Sequence, residues 1–221
     1  MPESSTLEER KNCLEYLEDQ FDQYVLEAES ALEIATARIM NVQRALENHE
    51  GRSPFDTVEN RVKTFESTIE KCERKGYELS IDSIRENITD IAGIRILTPF
   101  RDDIYEVVEI LRHIPGINIY SEKDYVEKPK ENGYSSYHIH ARIEIYTPTD
   151  NKTGTTKFVP LEIQIRDKAM DLWATVEHIV KYKNNKCNTT DPKISQQFKQ
   201  MADILRDFDE HAIKLRKLSQ A

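Results

Sequence analysis

From Thr6 to about Glu50, apolar residues recur at three- and four-residue steps: Leu14, Leu17, Phe21, Tyr24 and Val25, then Ala28, Leu32, Ala35, Ile39, Val42 and Leu46. That period, free of Pro and Gly, predicts one long helix or a helical pair. Ser53-Pro54 breaks it. Thr57-Val58-Glu59-Asn60 is then expected to open a second helix running to about Lys75, closed by Gly76 in the usual C-terminal position. Ser80-Ile81-Asp82 starts a short helical turn, and the run Ile91 to Leu97 reads as a buried strand ended by Thr98-Pro99. Asp102 to His113 is an amphipathic helix with Ile104, Val107, Val108 and Leu111 inward, and Pro115-Gly116 turns the chain back.

Two stretches then alternate with period two. Ile117 to Tyr125 is one, and Tyr137 to Tyr146 is the other, with His138, His140, Arg142 and Glu144 on one face. Lys157 to Arg166 alternates again, Val159, Leu161, Ile163 and Ile165 against Glu162 and Gln164. Pro148 to Gly154 is the hairpin connection between these long strands, which makes them antiparallel. Lys168 to Lys183 forms a helix carrying Trp173, a polar loop follows through Pro192, and a last helix runs from Ile194 to about Leu218. The order predicts an α+β fold. It divides into an N-terminal helical segment at 1–55, a central domain at 56–185 and a C-terminal helix at 186–221.

Charge narrows the partners. With 31 Lys+Arg against 40 Asp+Glu, the net charge of −9 provides no global field for a long polyanion, so nucleic acid is not expected and any phosphate site must be a local basic cluster. Cys13, Cys72 and Cys187 are odd in number and widely spaced, which argues against a disulfide scaffold or a CxxC metal pair. No apolar run reaches eighteen residues, and the start lacks a basic region followed by an apolar stretch. The expectation is a soluble cytoplasmic protein.

Five groups of residues carry candidate chemistry, and each also has an ordinary structural reading. Arg61 and Lys63, with Ser67, Lys71 and Lys75 at further steps of four, would line one helix face beside a polyphosphate; the interleaved Glu66, Glu70 and Glu73 would equally make it a solvated face. Asp90 precedes an apolar strand that contains Arg95, a placement suited to Mg²⁺ or to a buried ion pair. Lys128, Lys130 and Asn132-Gly133-Tyr134-Ser135-Ser136-Tyr137-His138 combine lysines for phosphate, a permissive glycine and a ring for a base, or else form a turn. Glu162, Gln164 and Arg166 share one strand face, which looks into a cleft or into water. Glu177-His178 are neighbours on a helix and should diverge.

The order of these groups is distinctive: Arg-Val-Lys with a downstream Ser, Asp-Ile-Ala-Gly-Ile-Arg, Lys-x-x-Asn-Gly-Tyr-x-Ser-x-His, Glu-Ile-Gln-Ile-Arg, and Trp-Ala-x-x-Glu-His. From about Arg61 to Lys183 the series resembles the synthetase domain of RelA/SpoT-homologue enzymes, and the length resembles their small alarmone synthetases. The resemblance implies a nucleotidyltransferase-like mixed sheet packed with helices. It also implies transfer of the β,γ-diphosphate of ATP to the 3′-hydroxyl of GDP, GTP or GMP, with release of AMP, in the stringent response.

Carried over residue by residue, the resemblance puts the adenine of ATP between Arg61 and Arg95, its phosphates at Lys63, Ser67, Lys71 and Lys75, and Mg²⁺ on Asp90 and Glu162. Glu162 would hold the metal or assist deprotonation. The acceptor would stack on Tyr134, with Lys130 and His138 near its phosphates and Asn132, Gln164 and Glu177 in support. A homotetramer is implied as well. Ser135, Tyr137 and Glu131 depart from the family's usual loop, and no His-Asp dipeptide marks a hydrolase, so degradation of the product is not expected. An acceptor that is an adenine nucleotide or the tRNA 3′ end, or a regulator without turnover, are the rival readings.

Overall fold

The computed structural model of the chain describes residues 3–148, 153–182 and 192–219. One mixed sheet runs in the order β1 (Thr57–Val62), β2 (Ala92–Thr98), β5 (Gly154–Asp167), β4 (Tyr137–Pro148) and β3 (Asn118–Asp124). β2 and β5 are parallel, and the remaining neighbours are antiparallel. Pro148 pairs with Gly154, which closes the expected hairpin around residues 149–152, outside the described set. The polar loop before Pro192 and the predicted helix end at Lys183 also lie outside it.

The N-terminal periodicity is realised as one helix, α1 (Glu3–Glu50), which packs along β1, β2, β4 and β5. Ala28, Ala31 and Ala35 are fully buried there beside Leu32 and Ile39. Small residues at the contact let the helix axis approach the sheet closely, and the larger Phe21 and Tyr24 fill the space further along. The sheet presents alternate residues to this core: Ile94 and Ile96, Ile139, Ala141 and Ile143, and Leu161, Ile163 and Ile165 are buried. Alternation sends the residues between them to the opposite face.

The segment from Thr57 corrects the sequence reading. Thr57–Val62 is a strand, paired antiparallel with β2 from Thr57↔Leu97 to Val62↔Ala92, and the helix α2 (Phe65–Lys75) begins only after it. The partner strand supplies a complete hydrogen-bond ladder, reaching from Asp56 N on Leu97 O at 2.8 Å to Lys63 N on Ile91 O at 2.9 Å, which an isolated first helical turn lacks. Thr64 sets the actual helix start, its hydroxyl accepting from Ser67 N at 3.3 Å. Gly76 closes the helix in the left-handed conformation as expected. The consequence is that Arg61 projects from a strand and Lys63 from the short connection to α2, so only Ser67, Lys71 and Lys75 share a helix.

The short helix α3 (Ile81–Asn87) and the crossover helix α4 (Asp103–His113) fall where predicted. So do α5 (Lys168–Tyr182) and α6 (Pro192–Ser219), which pack on each other. Trp173 Nε1 of α5 donates to Phe198 O of α6 at 2.9 Å. Among the described residues no helix is long and apolar enough to cross a membrane.

Candidate active site

Register assembles the site across the face of the sheet turned away from the core. One row runs Arg61, Gly93, Glu162, His140; the next runs Glu59, Arg95, Gln164, His138. Asp90, just before β2, joins the first row from its end. A cavity of about 270 Å³ lies over these rows, lined by Glu59, Asn60, Arg61, Lys63, Asp90, Arg95, Glu162 and Gln164 among others.

Asp90 is held between two ammonium groups, Lys71 Nζ at 2.8 Å from Oδ1 and Lys63 Nζ at 3.3 Å from Oδ2. Across the cavity, Glu162 accepts from His138 Nδ1 at 3.1 Å and from Gln164 Nε2 at 2.8 Å, with His140 Nε2 4.0 Å away. Burial works against ionisation of Glu162, but the bond and charge of His138 and the amide of Gln164 outweigh it and bring its pKa down to about 2. Burial, the largest influence on His140, holds its pKa below the ordinary histidine value and so favours the neutral ring.

Asp90 and Glu162 therefore offer hard carboxylate oxygens to one cavity. Among the described residues no three His, Cys, Asp or Glu side chains make a metal cluster by themselves. Two carboxylates fit Mg²⁺, which takes few protein oxygens and completes its shell with water and substrate phosphate.

A larger cavity of about 650 Å³ adjoins the first and shares Arg61, Arg95 and Gln164 with it. Its other walls include Tyr134, Arg166, Glu177 and His178. The last two were expected to diverge, yet both border this space: it is broad enough to meet more than one strip of α5. Tyr134 sits on a tight loop in which Gly133 N donates to Lys130 O at 2.8 Å and Lys130 N to Tyr134 O at 3.0 Å. Gly133 adopts φ +89°, and an added Cβ would come within 2.5 Å of the Ala202 Cβ on α6. Only glycine satisfies both demands.

The Tyr134 hydroxyl lies 2.8 Å from His138 Nε2 and accepts from Arg166 Nη2 at 3.1 Å. The His138 ring therefore bridges the Glu162 carboxylate through Nδ1 and the Tyr134 hydroxyl through Nε2. Arg166 Nη2 also donates to Gln164 Oε1 at 3.0 Å, and Gln164 returns to Glu162. Glu162, His138, Tyr134, Arg166 and Gln164 thus form a closed ring of hydrogen bonds that fixes the carboxylate and the aromatic face together. Lys130 Nζ stands between the rings of Tyr125 and Tyr134, 4.9 and 4.7 Å from their centroids.

Most sequence-predicted residues converge here. Asp90, Glu162, Arg61, Lys63, Arg95, Gln164, Tyr134 and Glu177 line the cavities. Lys71 reaches Asp90, His138 reaches Glu162, and Asn132 Nδ2 reaches Glu177 Oε1 at 2.8 Å. Ser67 and Lys75 line neither cavity: Ser67 is in the first turn of α2, and Lys75 is exposed in its last. Arg95, expected inside an apolar strand, projects from the cleft face and lies 3.6 Å from Asp171. Sequence reasoning assigned no role to His140 or Asp171, which become visible only through cross-strand register and the docking of α5.

Comparison with known proteins adds a decisive observation. The model of the region found in RelA / SpoT proteins matches residues 60–187, more than half of the chain. The chain belongs to the RelA/SpoT family. Among its RelA/SpoT relatives, the GTP pyrophosphokinase YwaC of Bacillus subtilis is 38% identical over 167 residues, covering 76% of each chain. The GTP pyrophosphokinase YjbM of the same organism is 32% identical over 197 residues, or 89% of each. The fold of this RelA/SpoT chain matches the small alarmone synthetase 1 of Bacillus subtilis bound to its product pppGpp with a TM-score of 0.80 at 30% identity, covering 91% of this chain and 99% of that one.

Proposed function

We propose that this chain is an ATP-dependent GTP/GDP pyrophosphokinase, which transfers the β,γ-diphosphate of ATP to the 3′-hydroxyl of GDP, GTP or GMP and releases AMP. The observation that carries the reading is the pair of joined cavities: carboxylates and lysines surround one, a tyrosine platform borders the other, and Arg61, Arg95 and Gln164 belong to both. Such a site suits two nucleotides held end to end. The pyrophosphokinase relatives and the product-bound synthetase support the same reaction class.

In this reading the adenine of ATP stacks between the planar guanidinium groups of Arg61 and Arg95. Its phosphates extend toward Lys63 and Lys71, with Ser67 at the N-terminal turn of α2, where backbone N–H groups favour anions. The acceptor base lies on Tyr134, whose loop is tied down by Asn132 and Glu177. Lys130 and His138 face its phosphates.

The 3′-oxygen bonds to the β-phosphorus as the bond from that phosphorus to the bridging oxygen of the α-phosphate breaks. AMP departs with that oxygen, and the hydroxyl proton passes by way of the Glu162 carboxylate to water. Asp90 and Glu162 would hold Mg²⁺, which would supply charge neutralisation at the phosphoryl oxygens. Lys63 and Lys71 add to that neutralisation, and Glu162, ionised and bonded by His138 and Gln164, orients the 3′-hydroxyl.

The loop departures fit this account. Ser135 Oγ donates to Tyr125 O at 3.0 Å, and the Tyr137 hydroxyl bonds Glu122 beside Arg112. Both side chains are engaged within the fold. Asp90→Asn and Glu162→Gln each test the assignment: transfer is abolished in both while thermal unfolding stays cooperative, and near-normal turnover in both would refute the metal site. We place the enzyme in the cytoplasm as a homotetramer. Ile204, Phe208, Leu215 and Leu218 of α6 stand exposed at helical spacing, a face suited to a second copy. Light scattering reads the assembly directly.

A further inference from the structure

Arg95 and Arg166 emerge from adjacent parallel strands on the same face, Arg95 beside Gln164 and Leu97 beside Arg166. Like charges so placed repel, and a single carboxylate separates them. Asp171, in the first turn of α5, puts its Oδ1 3.2 Å from Arg166 Nη1 and 3.6 Å from Arg95 Nη1. Among the described residues it is the one carboxylate that pairs with either arginine. Arg166 is buried, with 6% of its side chain exposed, and its Nη2 holds the Tyr134 hydroxyl. Arg95 is more open, at 30%. The Nε atoms of both arginines are buried without a hydrogen-bond partner, and the further bonds of Arg166, from Nη2 to Tyr134 and Gln164, are to uncharged groups that do not replace the charge of Asp171.

From this geometry we infer that Asp171 is a positioning residue that couples the two nucleotide subsites. The inference rests on the reading of Arg95 as an adenine contact and Tyr134 as the acceptor platform. One oxygen serves two guanidinium groups, so its attraction is divided between them. When a base occupies the face of Arg95 and draws that guanidinium into the stack, Asp171 is left to pair more fully with Arg166. Arg166 in turn fixes Tyr134 through its hydroxyl and lies 5.5 Å from the centre of its ring. Donor binding therefore orders the acceptor platform. By reciprocity, acceptor binding tightens the donor site equally.

The test is a binding cycle with α,β-methylene-ATP and GDP on the intact protein, with Mg²⁺ present. In the unmodified enzyme GDP lowers the Kd of the ATP analogue about fivefold or more, the lower end of ordinary site coupling. In Asp171→Asn the factor falls toward one while each nucleotide alone still binds, and Asp171→Glu recovers part of it. Arg166→Lys, which keeps the charge but loses the fork, reduces the factor likewise. A factor of one in the unmodified protein, or an unchanged factor in Asp171→Asn, overturns the inference. Arg95→Ala serves as the control for the underlying reading: undiminished affinity for the ATP analogue removes the adenine assignment and the coupling with it.

Discussion

Asn132 Nδ2 donates to Glu177 Oε1 at 2.8 Å, joining the loop that carries Tyr134 to the middle of α5. The same Asn132 accepts from Tyr134 N through Oδ1 at 3.1 Å, so a single side chain sets both the loop's shape and its place. Removing the carboxylate leaves the amide without this charged partner. Glu177→Ala is expected to raise the KM for the guanine nucleotide about tenfold, the equivalent of one charge-assisted hydrogen bond, with the KM for ATP little changed. Steady-state kinetics with each substrate varied in turn checks this.

Gly133 is the second constraint on that loop. Gly133→Ala meets both the positive φ and the contact with Ala202, and a loss of roughly 1–3 kcal/mol is expected. The double variant with Ala202→Gly relieves the contact and leaves the strain, so it recovers part of the loss. Thermal or denaturant unfolding of the single and double variants separates the two contributions.

The row of basic residues on α2 divides. Lys71, bonded to Asp90, is expected to cost about a hundredfold or more in turnover on substitution by Ala, in the range of other groups that stabilise developing phosphoryl charge. Lys75, exposed and outside both cavities, is expected to tolerate Lys75→Ala with little change. Equal losses in the two variants would return the whole row to the ATP site.

A pH dependence is built into the seat of α6. Asp167 Oδ1 caps α5 by accepting from Met170 N at 2.7 Å, and the buried Asp209 of α6 lies close enough to Asp167 for the two carboxyl groups to influence each other. Burial, together with the charge of Asp167, raises the pKa of Asp209 well above the ordinary aspartate range, to about 7. A carboxyl whose folded pKa is raised contributes stability that is complete below the unfolded value and declines as pH climbs to the folded one. The melting temperature is therefore expected to fall between about pH 4 and pH 7 by an amount that Asp209→Asn abolishes, because the amide donates to Asp167 without a titrating proton. Thermal unfolding of both proteins across that range checks it.

Helical and strand periodicity made α1, α4, β4, β5 and α6 legible, since each buries one stripe or one face over many residues. Thr57–Val62 escaped because its exposed positions carry no apolar alternation, and its partner strand lies thirty-odd residues along the chain. The site was legible in its order of motifs, whereas its wiring was not. Nothing local links Glu162 to His138 or Arg95 to Asp171: those contacts arise from antiparallel register and from helix docking. Glu177 and His178 were separated by a rule for neighbours on a helix, and a broad cavity reached both.

The central claim is tested most directly by following label from the terminal phosphate of ATP. The purified protein is incubated with that ATP, Mg²⁺ and, separately, GMP, GDP, GTP, AMP, ADP and tRNA. The account predicts label on the 3′ position of guanine nucleotides with one AMP formed for each product molecule. Label only on adenine nucleotides or tRNA, or ADP in place of AMP, would contradict it.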